Sequence, residues 1–167
     1  MRIRPLVEAD LPLIQIWMRE APEAPVWSDD DLARIVKAPS AGGRRIRRGW
    51  VAEEESQSGM AGFVVANALS IPGAPAECEL EFVFVAPQAR EQGIGRRLVR
   101  IVLEWAADLG AEEIRLELRA SNNRALRLYR QCGFTVAGHR PGYYLDPPED
   151  AVLMRCRIGH GCGDAPV

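Results

Sequence analysis

The chain has 167 residues, 47% of them apolar and 26% charged, with 21 basic against 23 acidic side chains and a net charge of −2. That length suffices for one domain with a substantial core, and no repeat or second compositional block argues for more. The near-neutral balance gives no reason to expect direct nucleic-acid binding, and no apolar run is long enough to span a membrane.

Ile3 to Val7 reads as a first short strand, and Met1-Arg2-Ile3-Arg4-Pro5 lacks the pattern of a secretion signal. Asp10 is expected to cap a helix whose apolar Leu13, Ile14, Trp17 and Met18 keep the helical period. Ser28-Asp29-Asp30-Asp31 resembles a second helix start, followed by Leu32, Ile35 and Val36. Pro39 to Gly49 reads as a loop, and its Arg44, Arg45, Arg47 and Arg48 as a solvated basic run, locally balanced by Glu53 to Glu55. Trp50–Glu54 and Met60–Leu69 form a hairpin around Ser56–Gly59, and Pro72 and Pro75 then break the chain before a strand at Cys78–Val85.

A long amphipathic helix follows, about Gly95 to Leu109, with Ile94, Leu98, Ile101, Val102, Trp105 and Leu109 on one stripe and Gly110 placed to end it. Ile114, Leu116 and Leu118 alternate with Glu113, Arg115, Glu117 and Arg119, a strand with one apolar face. Asn122 to Cys132 is a shorter helix with Ala125, Leu128, Tyr129 and Cys132 inward and Gly133 at its end. Phe134–His139 and Ala151–Ile158 complete the strands, with a proline-rich turn between them, and residues 159–167 read as a flexible tail after a domain covering 1–158. This order predicts an α/β (α+β) fold in one layered domain. The cysteines (Cys78, Cys132, Cys156, Cys162) share no C-x-x-C spacing and read as buried thiols of a cytoplasmic protein, neither disulfides nor zinc ligands.

Arg90-Glu91-Gln92-Gly93-Ile94-Gly95 sits between the Cys78–Val85 strand and the long helix. Glycines there let backbone N–H groups approach an anion, and the helix start adds its positive dipole end. The six residues alone equally fit a plain glycine turn. They do not complete a dinucleotide fingerprint, since Leu98 stands where its third glycine belongs, and no lysine follows as in a P-loop.

Arg90-x-x-Gly93-x-Gly95 resembles the acyl-CoA motif of the GNAT superfamily of N-acetyltransferases. Leu116 to Asn122, then Ala125, Leu128-Tyr129, Cys132-Gly133-Phe134, Arg140-x-x-Tyr143-Tyr144 and Glu149-Asp150-Ala151 are similar to the bacterial ribosomal-protein alanine N-acetyltransferases within it. That likeness spans about Glu79 to Met154, and Val26-Trp27-Ser28 resembles a further stretch of the same family. It implies a GNAT-like domain, a mixed central sheet with helices on both faces, and acetyl-CoA as cosubstrate with no metal. The acceptor it implies is a protein N-terminus, a ribosomal protein among the candidates, with a small amine as the alternative and a non-catalytic CoA-binding module as a further one.

The resemblance also implies roles. Glu117 matches the family's general base and Tyr129 its general acid, although an ordinary surface charge and a core tyrosine fit those positions locally. Val83, Phe84 and Val85 match the strand beside the pantetheine arm; Glu91, Gln92, Gly93, Ile94, Gly95 and Arg96 match the pyrophosphate loop. Asn122 matches a cofactor contact, with helix capping as its local alternative. Arg96, Arg97, Arg124, Arg127 and Arg130 are candidates for the ribose phosphate, although solvated helix faces explain most of them. Tyr143 and Tyr144 match the segment closing over the acceptor, and Asp29–Asp31 with Glu149–Asp150 are expected to receive a basic second residue. Glu79 and Glu81 compete with Glu117 for the base, because some superfamily members take it from that strand. His139 and His160 have no triad partners in the sequence pattern.

Overall fold

A computed structural model describes residues 1–21, 23–37, 44–54, 59–70 and 72–159. The chain runs β1 (Arg2–Pro5), α1 (Leu11–Glu20), α2 (Asp29–Val36), β2 (Arg45–Glu54), β3 (Gly59–Leu69), β4 (Glu77–Val85), α3 (Ile94–Asp108), β5 (Glu113–Arg119), α4 (Asn123–Gln131), β6 (Thr135–Leu145) and β7 (Pro148–Arg157). These strands make one seven-stranded sheet in the order β1-β2-β3-β4-β5-β7-β6. Every neighbouring pair is antiparallel except β4 with β5, which is parallel and joined through α3.

Side-chain alternation on the strands decides which helix covers which face. On β3, Phe63 stacks against Trp17 of α1, with ring centroids 6.2 Å apart. The next residue, Val64, pairs with Trp50 of β2, and Trp50 meets Trp105 of α3 edge-on at 5.5 Å. Since successive strand residues point to opposite faces, α1 and α3 lie on opposite sides of the sheet. The mixed sheet with helices on both faces that the sequence implied is the fold observed.

α3 follows its sequence pattern closely: Ile94, Leu98, Val99, Val102, Leu103, Trp105 and Ala106 are buried and bind it to the sheet. Truncating Leu98 to alanine there costs about 3 kcal/mol. α2 is capped as its sequence indicates, with Asp31 N–H donating to the Ser28 hydroxyl while the Asp31 carboxylate accepts from Ser28 N–H.

Several expectations need correction. Asp10 does not cap α1; its carboxylate accepts two hydrogen bonds from Arg4, at 2.7 and 2.8 Å, and one from Val7 N–H. Burial alone would raise its pKa, but these donors outweigh burial and hold it below the ordinary carboxylate range. The resulting stabilisation is complete above that range and fades as pH falls through the lowered value. Arg45 to Gly49 belong to β2 and not to a loop, while 38–43 lie outside the described residues. The segment expected as a proline-rich turn is mostly strand, because β6 runs on to Leu145 and β7 begins at Pro148. Cys78 and Cys132 are free thiols as expected, whereas Cys156 is disulfide-bonded. Cys162, His160 and most of the expected tail fall outside the described residues.

Candidate active site

β4 and β5 pair only at Cys78–Glu79 with Ile114–Arg115. Beyond that point β4 runs on to Val85 and β5 to Arg119, and among the described residues no further pairing joins them. The sheet is split from one end, leaving strand edges with backbone groups free to bind an extended guest.

A bulge on β4 sets what faces the split. Val65 pairs with Phe82 and Ala66 with Leu80, so Glu81 is the extra residue. Glu79 and Glu81 both accept from Asn67 Nδ2, at 3.2 and 3.0 Å, so they share a face. The bulge then turns Phe82 and Phe84 to that same side. Phe82 meets Trp27 edge-on and Phe84 stacks on Trp17. Val85 points to the opposite side, toward Gly95 at the start of α3. Phe84 is therefore core by its side chain, and its carbonyl oxygen turns toward Gly62 of β3.

The glycine loop closes the far end of β4. Arg90 Nε donates to Val85 O at 3.0 Å, tying loop to strand. Glu91 and Gly93 have φ of 65° and 76°, the left-handed conformation that favours glycine. A Cβ on Gly93 would meet nothing within 4 Å, so the loop is open at that point. At Gly95 the reverse holds: a Cβ would lie 3.1 Å from Leu128, so glycine lets α4 pack against α3. The first turn of α3 leaves N–H groups without helical partners, an arrangement suited to receiving an anion. Asn122 Oδ1 accepts from Ala125 N–H at 3.1 Å and so serves as the cap of α4.

Glu117 stands on the lip formed by β5. Ile114, Leu116 and Leu118 are buried on one face, which turns Glu117 to the other. Its Oε1 receives Arg140 Nη1 at 2.7 Å. The same carboxylate is the leading cause of a Tyr143 pKa raised above its ordinary value. Tyr144 is raised by burial first and then by the Glu117 charge. Tyr129 is buried, which pushes its phenol well up, with Cys132 and Tyr144 as smaller contributions. Among the described residues every fully enclosed polar side-chain atom has a partner, and none is found for the Tyr129 hydroxyl. Its oxygen therefore keeps contact with solvent. Glu117, Tyr129, Tyr143 and Tyr144, separated by up to 27 positions in sequence, form one electrostatic cluster.

Arg119 braces this cluster, a role the sequence did not suggest. Its guanidinium donates to Asp146 O and Pro147 O, pairs with Glu149, and lies 4.2 Å from the Tyr144 ring centroid. Glu149 also accepts from Ser121 N–H and Asp150 from Gly142 N–H. Asp31 is held by Ser28 and Asp29 by Gln15. The acids expected to greet a basic acceptor residue are thus mostly engaged in holding the fold.

Glu81 stands on the lip formed by β4, and Arg47 binds both its oxygens, with Nε 2.9 Å from each. Arg47 also donates to Asp31 O and lies 4.5 Å over the Trp27 ring. The expected solvated arginine is a partly buried tie between β2, α2 and β4. Its partner lies 34 positions away, too far for local sequence to indicate. Among the described residues no group of three or more His, Cys, Asp or Glu side chains is placed to hold a metal ion, and no helix is long and apolar enough to cross a membrane.

Residues 11–134 match the acetyltransferase (GNAT) family model. N-alpha-acetyltransferase RimI of Mycobacterium tuberculosis (strain ATCC 25618 / H37Rv) is 41% identical over 81 residues, 48% of this chain and 49% of that protein. This chain matches about half the length of such curated relatives, or less. The crystal structure of the ribosomal-protein-S18-alanine N-acetyltransferase from Escherichia coli superposes with a TM-score of 0.71 at 27% identity, covering 99% of both chains. Arabidopsis thaliana NAA60, crystallised with acetyl-CoA, shares the fold at a TM-score of 0.79 and 21% identity, over 94% of this chain and 99% of that one. With α1 to α4 and the split between β4 and β5 all inside the matched residues, the chain belongs to the GNAT family of acetyltransferases.

Proposed function

We propose that this chain transfers the acetyl group of acetyl-CoA to an amine, and that its acceptor is the N-terminal α-amino group of an alanine-starting protein. The observation that carries this is the split sheet, with an anion-accepting loop at the end of one lip and a solvent-reaching glutamate on the other. The fit to the cofactor is direct. An extended pantetheine arm matches the free edge of β4 at Val83 and Val85, and a pyrophosphate matches the amides from Glu91 to Arg96. Gln92, Gly93, Ile94 and Gly95 complete that loop.

Acetyl-CoA supplies an activated thioester; the residues here must manage protons and charge. An α-ammonium has a pKa of about 8, so at neutral pH only about a tenth is free amine. Glu117 takes the remaining proton, which makes the nitrogen a nucleophile at the moment it is aligned. Tyr129 stays a phenol across the physiological range because burial disfavours its anion, so it is always in the form that donates a proton to the departing sulfur. Tyr143 and Tyr144 flank the acceptor. The nitrogen attacks directly within a ternary complex. Burial pushes the thiols of Cys78 and Cys132 up to about 11, far from the ready thiolate that an acetyl-carrying cysteine requires.

An alanine N-terminus is favoured over a small amine because the Escherichia coli relative, 38% identical over 84 residues, and the structure matched at 27% identity are both named ribosomal-protein alanine N-acetyltransferases. The test is mass spectrometry of acetyl transfer to alanine-starting peptides beside a panel of small amines. Peptide acetylation at the α-nitrogen is expected. Transfer confined to polyamines or other small amines would replace the acceptor, and CoA binding without any transfer would replace the activity.

A further inference from the structure

Arg140 touches Glu117 in a way that the transfer chemistry does not require. A carboxylate already paired to a guanidinium is a poorer destination for a proton, yet Arg140 Nη1 lies 2.7 Å from Glu117 Oε1. Other cations near Glu117 are committed elsewhere: Arg119 to Glu149 and two carbonyls, and Arg115 to Glu113. The remaining groups that face Glu117, Tyr143 and Tyr144 of β6, carry no charge at neutral pH, and the residue paired with it on β7 is Leu153. Arg140 is thus its counter-charge.

We propose that the acceptor's α-ammonium displaces Arg140 from Glu117 on binding, so that Arg140 acts as an exchangeable cation screening for charged N-termini. This rests on the reading of Glu117 given above. Three features make the exchange easy. Arg140 is 51% exposed where it pairs with Glu117. Beyond Arg140 the register of β6 on β7 shifts before Tyr144, across Pro141 and Gly142, so Arg140 stands at the start of a bulge on an edge strand. The Tyr143 ring, 5.3 Å from the guanidinium carbon, offers Arg140 an aromatic face beside the carboxylate. Exchange of one cation for another keeps the site's charge constant, which a neutral guest cannot do. Acetylation removes the positive charge from the nitrogen, so the product cannot hold Arg140 away and is displaced by it. Arg140 is a positioning and selecting residue in this scheme and touches no reacting atom.

The test compares an alanine-starting peptide with its N-acetylated form, each titrated calorimetrically into the CoA-loaded protein at low ionic strength. Arg140→Gln is expected to bind the free-amine peptide several-fold more tightly than wild type and the acetylated peptide unchanged, with its acceptor KM lowered and kcat nearly constant. Arg140→Lys should behave as wild type, and adding Glu117→Gln to Arg140→Gln should erase the difference. Weaker binding of the free-amine peptide by Arg140→Gln, or an equal effect on both peptides, would overturn the proposal. Because these titrations involve no turnover, they judge the exchange separately from the base. Full activity of Glu117→Gln would remove the base while leaving the titrations to be read on their own.

Discussion

Glu81 and Glu117 occupy matching heights on the two lips of the split, each two residues beyond the last β4–β5 pair, and each faces an arginine. Their pairs differ in kind. Arg47 and Glu81 are 14% and 16% exposed, bound through both oxygens and stacked against Trp27, whereas Arg140 is 51% exposed. A partly buried, doubly bonded pair fixes geometry, and a pair with a half-exposed guanidinium leaves its carboxylate free to exchange partners. The lesson is that residue type and height on a strand do not make a base; the strength of the counter-ion's hold does.

The largest effect expected from this contrast is kinetic. Glu117→Gln should lower kcat for alanine-starting peptides by about 10²–10⁴-fold, the usual worth of a positioned general base, while Glu81→Gln leaves kcat close to wild type. Loss of turnover in Glu81→Gln alone, with the fold intact by circular dichroism, would reverse the assignment. Tyr129→Phe should cost about 10²-fold in kcat with little change in thermal midpoint. Unchanged turnover would remove Tyr129 from the mechanism and leave it as packing.

Stability should show the opposite ranking. Arg47→Ala strands a partly buried Glu81 and should cost about 3 kcal/mol in urea unfolding. Arg140→Ala removes a half-exposed pair and should cost less than about 1 kcal/mol. Equal losses would erase the distinction between the two lips. The smallest effect is at Ser28: Ser28→Ala removes the cap of the helix whose Asp31 carbonyl anchors Arg47 and should cost about 1 kcal/mol.

The regions legible in the sequence are those whose information is local. The apolar stripe of α3, the alternation of β5 and the Ser28–Asp31 capping box each appear within a few turns or residues, and each is found as read. The full length of β6 and β7 is hidden in the sequence because Pro141, Gly142, Pro147 and Pro148 signal turns. β6 is an edge strand whose register breaks across residues 140–144, and Pro148 is the first residue of β7, positions where prolines need donate no ladder bond. Arg47 looks like a loop residue in sequence because its partner Glu81 comes from another strand, and Asp10 looks like a cap because its pairing with Arg4 forms across a turn. At the site, Glu117, Tyr129, Tyr143 and Tyr144 were named through family likeness, and nothing local marked them. Arg119 and Arg140 lay inside the same motifs without an assigned role, since charge pairing across strands depends on register that sequence does not reveal.

All of this presupposes that the split and its glycine loop hold a coenzyme. Titration of CoA into the folded wild-type protein by calorimetry tests that most directly. The expected result is a single saturable binding event that persists undiminished in Glu117→Gln, because the loop and the β4 edge are remote from proton transfer. A folded protein that releases no heat with CoA, and does not bind it by any competing assay, would contradict the account at its base.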